Sequence, residues 1–207
     1  MTDRMDSAAF WDSRFASEDY VFGTEPNAFV RREAGRLTRG GRVLAVADGE
    51  GRNGVYLAQQ GLDVTATDIS AAGIAKARRL AQQRGVSLTL EQVDLAAYDW
   101  PEAAFDAVVA IFVQFADPIL RAKMFAGFAR TLRPGGILLL EGYRPEQLEY
   151  GTGGPKVEDN LYTESMLRDA FAGWDIISLR SYDADIREGS GHGGMSALID
   201  LVALQPG

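Results

Sequence analysis

Residues 43–54 read VLAVADGEGRNG, and the prediction of the fold starts from this segment. Four apolar residues lead into an acidic, glycine-rich turn, and the mostly apolar residues 55–58 then begin a helical pattern. Such a turn between a strand and a helix lets the backbone approach a ligand closely, and the helix N-terminus beyond it supplies unpaired N–H groups. The spacing is G-x-G-x-x-G, a weak signal alone, so the residues that follow must decide which ligand the turn holds.

Length and composition predict one globular domain. The chain has 207 residues, 46% of them hydrophobic and 24% charged. It contains no cysteine, which excludes disulfides, cysteine-ligated metal and a thiol nucleophile, and we expect no metal site. The net charge is −8 and the basic residues are scattered, which argues against a nucleic-acid partner and favours a small molecule. We expect a cytoplasmic location and no membrane association, because residues 1–6 show no signal-peptide core and no apolar run could span a bilayer.

Alternating strand and helix patterns run from residue 42 to residue 141. The predicted strands are nearly all apolar, which is typical of a parallel sheet buried on both faces. Gly61 and Gly85 end two of the helices, and Asp117 followed by Pro118 begins a third. The predicted strands are 42–47, 62–67, 86–93, 105–112 and 137–141, and the predicted helices are 52–60, 70–84 and 118–132, the last followed by a sharp turn at 133–136.

The two ends of the chain depart from this alternation. Two predicted N-terminal helices, 7–17 and 27–37, form a cap around an aromatic segment in which Tyr20 and Phe22 serve either as packing or as a substrate lid. The C-terminal part begins with a loop long enough to be functional. Its predicted elements are the loop 143–162, a helix 164–171 capped by Thr163, and two strands, 174–182 and 196–203, joined by the glycine-rich segment 189–194.

These patterns predict a single α/β domain with a Rossmann-like, seven-stranded, mostly parallel sheet. A C-terminal antiparallel hairpin closes the sheet, and a helical cap precedes it. Within this domain we assign a cap or lid to residues 1–39, a cofactor-binding core to 40–141, and an acceptor loop with the closing hairpin to 142–207.

Two ligand classes use a turn of this kind. A dinucleotide such as NAD needs an acid about 20 residues after the turn for its ribose, and Asp68 stands at that distance from Gly49. S-adenosylmethionine uses the same acid for its ribose hydroxyls and a second acid, after the third strand, for its adenine amine. Asp94 supplies that second acid, which NAD would leave unused. The acidic turn, with Asp48 and Glu50, also suits a sulfonium and an ammonium better than a pyrophosphate, so S-adenosylmethionine is the preferred cofactor.

On these residues the chain resembles the class I S-adenosylmethionine-dependent methyltransferases. The resemblance covers roughly residues 40–207 and includes the Leu-Arg-Pro-Gly-Gly segment at 132–136. It implies the sheet order 3-2-1-4-5-7-6. The segment Gly51-Arg52-Asn53 and the aromatic opening at 20–27 are similar to the branch that contains the tellurite-resistance and thiopurine methyltransferases. By this resemblance the cofactor-binding residues are Ala47, Asp48, Gly49, Gly51, Asn53, Asp68, Ile69, Asp94, Leu95 and Ile111.

The turn departs from the family pattern at two positions. The family usually has an acidic residue where Ala45 stands and a glycine where Ala47 stands. Because that acid helps to fix the methionyl end of the cofactor, its loss predicts a lower affinity or a re-routed turn. We expect Asp48 or Glu50 to compensate.

The resemblance also implies a small-molecule methyl acceptor and in-line transfer of the methyl group, which requires mainly positioning and exclusion of water. A soft sulfur, selenium or tellurium nucleophile would need little or no base, whereas a hydroxyl or ammonium would need one. The candidates for a catalytic role are His192 and Tyr20. The candidates for the acceptor pocket are Phe22, Phe112, Glu141, Tyr143, Tyr150 and Tyr162.

Two other functions stay open at the level of sequence. The altered turn at Ala45 and Ala47 is compatible with a protein that binds the cofactor without transferring a methyl group. An NAD-dependent oxidoreductase is the third candidate, although the chain lacks a Tyr-x-x-x-Lys pair and has one histidine. Either a monomer or a homodimer fits the composition.

Overall fold

The computed structural model describes residues 7–207, and the first six residues of the proposed cap lie outside that range. A seven-stranded sheet in the order β3-β2-β1-β4-β5-β7-β6 forms its centre, which confirms the predicted fold class and strand order. The strands are β1 (Arg42–Val46), β2 (Asp63–Asp68), β3 (Thr89–Gln92), β4 (Phe105–Ile111), β5 (Leu132–Tyr143), β6 (Asp175–Glu188) and β7 (His192–Leu204). The helices are α1 (Ala8–Arg14), α2 (Ala28–Glu33), α3 (Arg52–Gln59), α4 (Ala71–Gln83), α5 (Pro118–Thr131), α6 (Gln147–Tyr150) and α7 (Glu164–Ala170), with 3-10 turns at Ala34–Arg36 and Glu158–Asn160.

The sheet is apolar on both faces because successive residues of a strand point to opposite sides. In β1, Leu44 and Val46 pack into the core on one face, while Val43 and Ala45 pack into the core on the other. β4 divides its side chains in the same way. The first five strands are parallel, and β7 runs antiparallel to both of its neighbours. This arrangement brings the carboxyl ends of β1, β2 and β4 to one edge.

The predicted helix starts are confirmed by their capping hydrogen bonds. The side chains of Ser70, Asp117 and Thr163 accept hydrogen bonds from backbone N–H groups at 3.0, 2.8 and 3.2 Å, respectively. Asn27 caps α2 in the same way, with its Oδ1 accepting from Val30 N at 3.1 Å. These caps fix where α4, α5, α7 and α2 leave the sheet edge.

Four strands have boundaries that differ from the sequence prediction. The segment 133–136 lies inside β5, where the pairing with β4 shifts register between Phe105 and Ala107, instead of forming a separate turn. β3 is only four residues long and lies at the sheet edge. The hairpin is longer than predicted, because β6 continues to Glu188 and β7 already begins at His192.

The tip of this hairpin meets the N-terminal segment. The backbone N–H of Gly191 donates to the Val21 carbonyl at 2.8 Å. Gly189 packs so closely there that a Cβ would lie 2.4 Å from the Val21 oxygen and 2.5 Å from the Gly23 nitrogen. We call residues 189–191 the hairpin tip and residues 20–23 the lid loop. Within residues 7–207, no helix is both long and apolar enough to cross a bilayer.

Candidate active site

A cavity lies at the carboxyl ends of β1, β2 and β4, where open α/β sheets bind their ligands. We call it the first cavity. The turn after β1 forms its floor, and aromatic side chains from α1 and the lid loop cover it. Its lining residues are Trp11, Phe15, Phe22, Ala47, Asp48, Gly49, Arg52, Asn53, Asp68, Ile69, Asp94, Leu95, Ala96, Ile111, Phe112, Phe115, Leu120 and His192.

Asp68 organises the turn around this cavity. Its Oδ2 accepts from Gly49 N and its Oδ1 from Ser70 N, both at 2.8 Å. Ser70 in turn donates through its hydroxyl to Asp12 of α1 at 2.6 Å. Burial raises the pKa of Asp68 to about 6, even though the backbone N–H groups favour its charged form. One carboxylate therefore ties together the end of β2, the glycine turn and the start of α4.

Asp48 places a second carboxylate on the cavity wall. It accepts from Gly54 N at 3.0 Å, and burial raises its pKa to about 7, with the nearby charge of Asp68 adding to the effect. Asp94, from the segment after β3, is the third carboxylate on the wall. Three carboxylates in one cavity suit a cationic ligand and disfavour a pyrophosphate. This set of acidic acceptors therefore fits S-adenosylmethionine better than NAD.

Of the two alanines that depart from the family pattern, Ala47 keeps the turn on a glycine-like path. Ala47 has a φ of +49°, in the left-handed region where glycine is usual, while Ala45 is buried within β1. Glu50 pairs with Lys76 at 2.7 Å and accepts from the Phe22 backbone N at 3.2 Å. Glu50 does not line the cavity, because this buried ion pair uses it to hold the lid loop. Of the two acids expected to compensate for Ala45, only Asp48 lines the cavity.

A second cavity opens beside the first. It lies between α1, the ends of β4 and β5, the glycine segment at 153–155 and the hairpin tip. It shares five lining residues with the first cavity: Trp11, Phe22, Phe112, Phe115 and His192. Its other lining residues are Phe10, Arg14, Gln114, Tyr143, Gly153, Gly154, Pro155 and Gly191. The two spaces therefore meet at a wall made almost wholly of aromatic rings.

His192 lies at the junction of the two cavities, as the first residue of β7. Its ring centroid is 4.5 Å from that of Phe22 and 4.6 Å from that of Phe112. Its Nδ1 faces Glu188 Oε2 at 3.5 Å. Burial lowers the pKa of His192, although Glu188 favours the charged form. The sequence prediction of a loop histidine is wrong, because the hairpin pairing carries this residue into a strand.

The structure brings most of the sequence-predicted cofactor residues to the first cavity. All of them line it except Gly51, which begins α3 with a φ of +91° and packs against Ala77 of α4. Among the predicted acceptor residues, Phe22 and Phe112 line both cavities and Tyr143 lines the second.

Four other predicted residues line neither cavity, and each is held elsewhere. Tyr20, the first residue of the lid loop, donates through its hydroxyl to the Lys76 carbonyl at 3.1 Å. Tyr162 is buried in the core beside Phe125, and Tyr150 is exposed on α6 with its hydroxyl bonded to Asp183. Glu141 is buried and accepts from the Asn27 amide and from the Tyr182 hydroxyl.

Several functional residues were not predicted from the sequence. Trp11 and Phe15, stacked at 5.4 Å, cover the first cavity, and Arg14 lines the second. The sequence predicted a helix over residues 7–17, which contains all three, but gave no sign of what that helix covers. Arg52 and Glu188, paired at 2.7 Å, are 136 residues apart in the chain, and no local pattern joins them.

Comparisons with known proteins agree with this geometry. Residues 43–136 match the family model described as a methyltransferase domain. The chain is 33% identical over 130 residues to phosphatidylethanolamine N-methyltransferase of Cereibacter sphaeroides, covering 61% of this chain and 63% of that protein. It is 32% identical over 146 residues to glycine/sarcosine N-methyltransferase of Halorhodospira halochloris, covering 67% and 50%. The chain thus spans between half and two thirds of the length of these curated relatives.

A solved structure extends the likeness to the whole fold. The N-methyltransferase NodS from Bradyrhizobium japonicum WM9, in complex with S-adenosyl-l-homocysteine, superposes with a TM-score of 0.72 over 98% of this chain and 100% of that chain, at 14% identity. At this identity the likeness concerns the fold. Residues 43–136 are therefore a methyltransferase domain, the fold of the chain is that of the class I S-adenosylmethionine-dependent methyltransferases, and S-adenosylmethionine is the cofactor that fits the carboxylate-lined cavity.

Proposed function

We propose that the protein transfers the methyl group of S-adenosylmethionine, bound in the first cavity, to a small molecule bound in the second. The observation that carries this proposal is the wall of five residues common to both cavities. A methyl group at that wall faces the acceptor space directly, and the aromatic rings there exclude water from the path of transfer.

The cofactor residues receive separate roles in this proposal. Asp68, at the end of β2, binds the ribose hydroxyls. Asp94, two residues after the end of β3, binds the adenine amine. The backbone at 47–49 holds the methionyl end, and Asp48 supplies the negative charge nearest the turn. His192, one of the two residues predicted to have a catalytic role, brings a titratable side chain to the wall shared by the two cavities.

The acceptor is a small molecule, as it is for the glycine/sarcosine relative by its name. A soft sulfur, selenium or tellurium nucleophile remains the prediction from the family branch. The aromatic lining of the second cavity favours a larger, planar acceptor. A cytoplasmic location, a monomer or homodimer, and the absence of nucleic-acid and membrane partners also remain predictions.

The proposal is tested by methyl transfer with the purified chain. Labelled S-adenosylmethionine is incubated with thiols, selenite, tellurite, phenols and small amines, and we measure labelled product together with S-adenosylhomocysteine. We expect at least one acceptor to be methylated in proportion to the demethylated cofactor. Binding of the cofactor without transfer to any acceptor class would favour the non-catalytic alternative. Binding of NAD in its place would favour an oxidoreductase.

Cofactor affinity is expected to depend on pH through Asp48 and Asp68. A cationic cofactor favours their charged forms, so its affinity should fall about tenfold or more as the pH falls from 8 to 5, through their pKa values of about 7 and 6. These raised pKa values have a second effect, on the stability of the cofactor-free protein. Between about pH 4 and 7 the two carboxyl groups bind more protons in the folded state than in the unfolded state, so the free energy of unfolding falls as the pH rises.

Calorimetry from pH 5 to pH 8, in two buffers of different ionisation enthalpy, measures both the affinity and the protons released. In Asp48→Asn the change in cofactor affinity around pH 7 should disappear, and only the change around pH 6, due to Asp68, should remain. An affinity of wild-type protein that stays constant over this range would contradict the assignment of these carboxylates to the cofactor.

The contact between hairpin tip and lid loop is expected to support binding. In Gly189→Ala the new Cβ would collide with backbone atoms of the lid loop, and the φ of +68° at this residue is unfavourable for alanine. The hairpin tip must therefore move away from the lid loop. We expect about tenfold weaker cofactor binding, since overpacking of this kind costs about 1–3 kcal/mol. Gly193→Ala is the matched control in the same hairpin, because no atom lies within 4 Å of its Cβ position. Equal affinities of the two variants would show that the lid contact does not matter.

A further inference from the structure

We propose that the second cavity takes a planar aromatic acceptor with a hydroxyl and a carboxylate, that His192 removes the hydroxyl proton, and that Glu188 positions His192 for this step. This proposal rests on the proposed methyl transfer and deepens it by assigning the acceptor class. In it His192 is a catalytic residue, and Glu188 is a positioning residue that acts through the imidazole.

The two nitrogens of His192 have different surroundings. Nδ1 is inaccessible to solvent and lies 3.5 Å from Glu188 Oε2, without a closer hydrogen bond to any described residue. Nε2 is not among the buried, unpartnered atoms and makes no hydrogen bond within residues 7–207, on a ring that lines both cavities. Catalytic hydrogen bonds are often this long before the substrate binds. A proton on Nδ1 therefore leaves the free lone pair on Nε2, the ring nitrogen that is not buried.

Glu188 is held firmly in the position this requires. Arg52 donates to its Oε2 at 2.7 Å, and the Asn27 amide donates to its Oε1 at 3.1 Å. Asn27 is itself fixed, because its backbone N donates to Asn53 Oδ1 at 2.9 Å. Burial opposes the charge of Glu188, but His192 and Arg52 lower its pKa to about 2, so it is a carboxylate at neutral pH. An anionic acceptor opposite Nδ1 favours the Nδ1–H form of the ring.

The groups that face His192 come from four elements. Glu188 of β6 brings one negative charge, while Arg52 of α3 and Arg14 of α1 bring positive charges that disfavour protonation. The Tyr143 ring of β5 stands edge-on at 5.9 Å. Since burial also lowers the pKa of His192, the ring is neutral at pH 7 and free to accept a proton.

The second cavity selects for shape and charge. Six of its side chains carry a six-membered or larger aromatic system, which favours a planar ring over a small polar molecule: Phe10, Trp11, Phe22, Phe112, Phe115 and Tyr143. Arg14 lies over the Phe22 and Trp11 rings at 5.4 and 5.9 Å, and its exposed side chain forms no ion pair with a carboxylate among residues 7–207. A guanidinium without a counter-ion at the cavity wall matches a carboxylate on the acceptor.

The proposed step is balanced in atoms and charge. The acceptor O–H bond breaks and its proton moves to His192 Nε2, while an oxygen lone pair forms the new O–CH3 bond. The S–CH3 bond of the sulfonium breaks, and its electron pair stays on sulfur, which leaves a neutral thioether. The positive charge of the sulfonium is thereby replaced by that of the imidazolium. His192 returns its proton to water when the methyl ether leaves.

The positioning role has a test that does not depend on activity. Because His192 is the only histidine of the chain, its ring nitrogens give one unambiguous set of nitrogen-15 NMR signals. We expect the neutral ring of the wild type to carry its proton on Nδ1, and to shift toward the Nε2–H form in Glu188→Ala. Asp185→Asn, an exposed carboxylate of the same strand, is the control and should leave the signals unchanged. A wild-type ring protonated on Nε2 would overturn the proposal.

The acceptor class and the base are tested with a matched pair of acceptors. For a hydroxybenzoate, His192→Gln should lower kcat by about 100-fold or more, whereas transfer to a thiophenol should be nearly unchanged because a thiolate needs no base. Arg14→Gln should raise KM for the hydroxybenzoate about tenfold and leave KM for an unsubstituted phenol unchanged. In the conservative variant Glu188→Gln, which removes the charge and keeps the shape, the acid limb of the pH profile should shift.

The results of these experiments distinguish a failure of the acceptor and base assignment from a failure of the proposed methyl transfer itself. Methyl transfer to the thiophenol but not to the hydroxybenzoate would retain the methyltransferase and overturn the acceptor class. Equal loss of both activities in His192→Gln would show that the residue is structural. If the wild type methylates no acceptor, the proposed function fails, and the NMR measurement alone decides whether Glu188 sets the His192 tautomer.

Discussion

In Asp68→Asn we expect the affinity for S-adenosylmethionine to fall by about 100-fold, through loss of charge-assisted hydrogen bonds to the ribose. The side chain has two tasks, because each of its oxygens also accepts from a backbone N–H, that of Gly49 or that of Ser70. Asparagine can accept with one atom only, so its amide nitrogen must face a backbone donor. The glycine turn and the start of α4 therefore lose their common anchor. Calorimetric titration measures the affinity, and circular dichroism checks that the fold is retained.

Asp63→Asn is the matched control for this variant. Asp63 begins the strand that Asp68 ends, and it is exposed. We expect wild-type affinity from this variant. If the Asp68 variant bound as tightly as the Asp63 variant, the cofactor would not lie against β2.

In Gly51→Ala we expect a loss of about 3 kcal/mol in the free energy of unfolding, together with weak cofactor binding. A Cβ at this position would lie 2.6 Å from the Ala77 Cβ and 2.7 Å from the Ala77 Cα. The φ of +91° is also one that alanine rarely adopts. Since Gly51 caps α3 and packs it onto α4, both helices and the turn between β1 and α3 must move. We expect Tm to fall by about 10 °C, as measured by thermal denaturation.

The control for this loss is Gly35→Ala, where no atom lies within 4 Å of the added Cβ. It should melt within about 2 °C of the wild type. A similar Tm for Gly51→Ala would mean that α3 and α4 are not packed as closely as described.

The fold was predictable from local patterns because its signals are local. The apolar strand at 43–46, the glycine turn and the acids at 68 and 94 lie within about 50 residues, and each follows from periodicity or turn chemistry. A parallel sheet then brings the ends of those strands together without further information. For the same reason the residues predicted to hold the cofactor reach one cavity, apart from Gly51.

The acceptor side was less predictable because its residues come from distant parts of the chain. A tyrosine at either end of the predicted loop 143–162 looks the same in sequence whether it lines a cavity, as Tyr143 does, or fills the core, as Tyr162 does. The length of the hairpin was missed because Gly193 and Gly194 are typical of loops, although an exposed ribbon tolerates them. As a result the sequence did not show that His192 would meet Glu188 and Arg52.

The most direct measurement is calorimetric titration of the wild-type chain with S-adenosylmethionine and S-adenosylhomocysteine, with NAD as the control. We expect both sulfur compounds to bind at one site per chain, with release of protons below pH 7, and we expect no heat from NAD. Binding of NAD, or binding of neither sulfur compound, would contradict the assignment of the carboxylate-lined cavity to this cofactor.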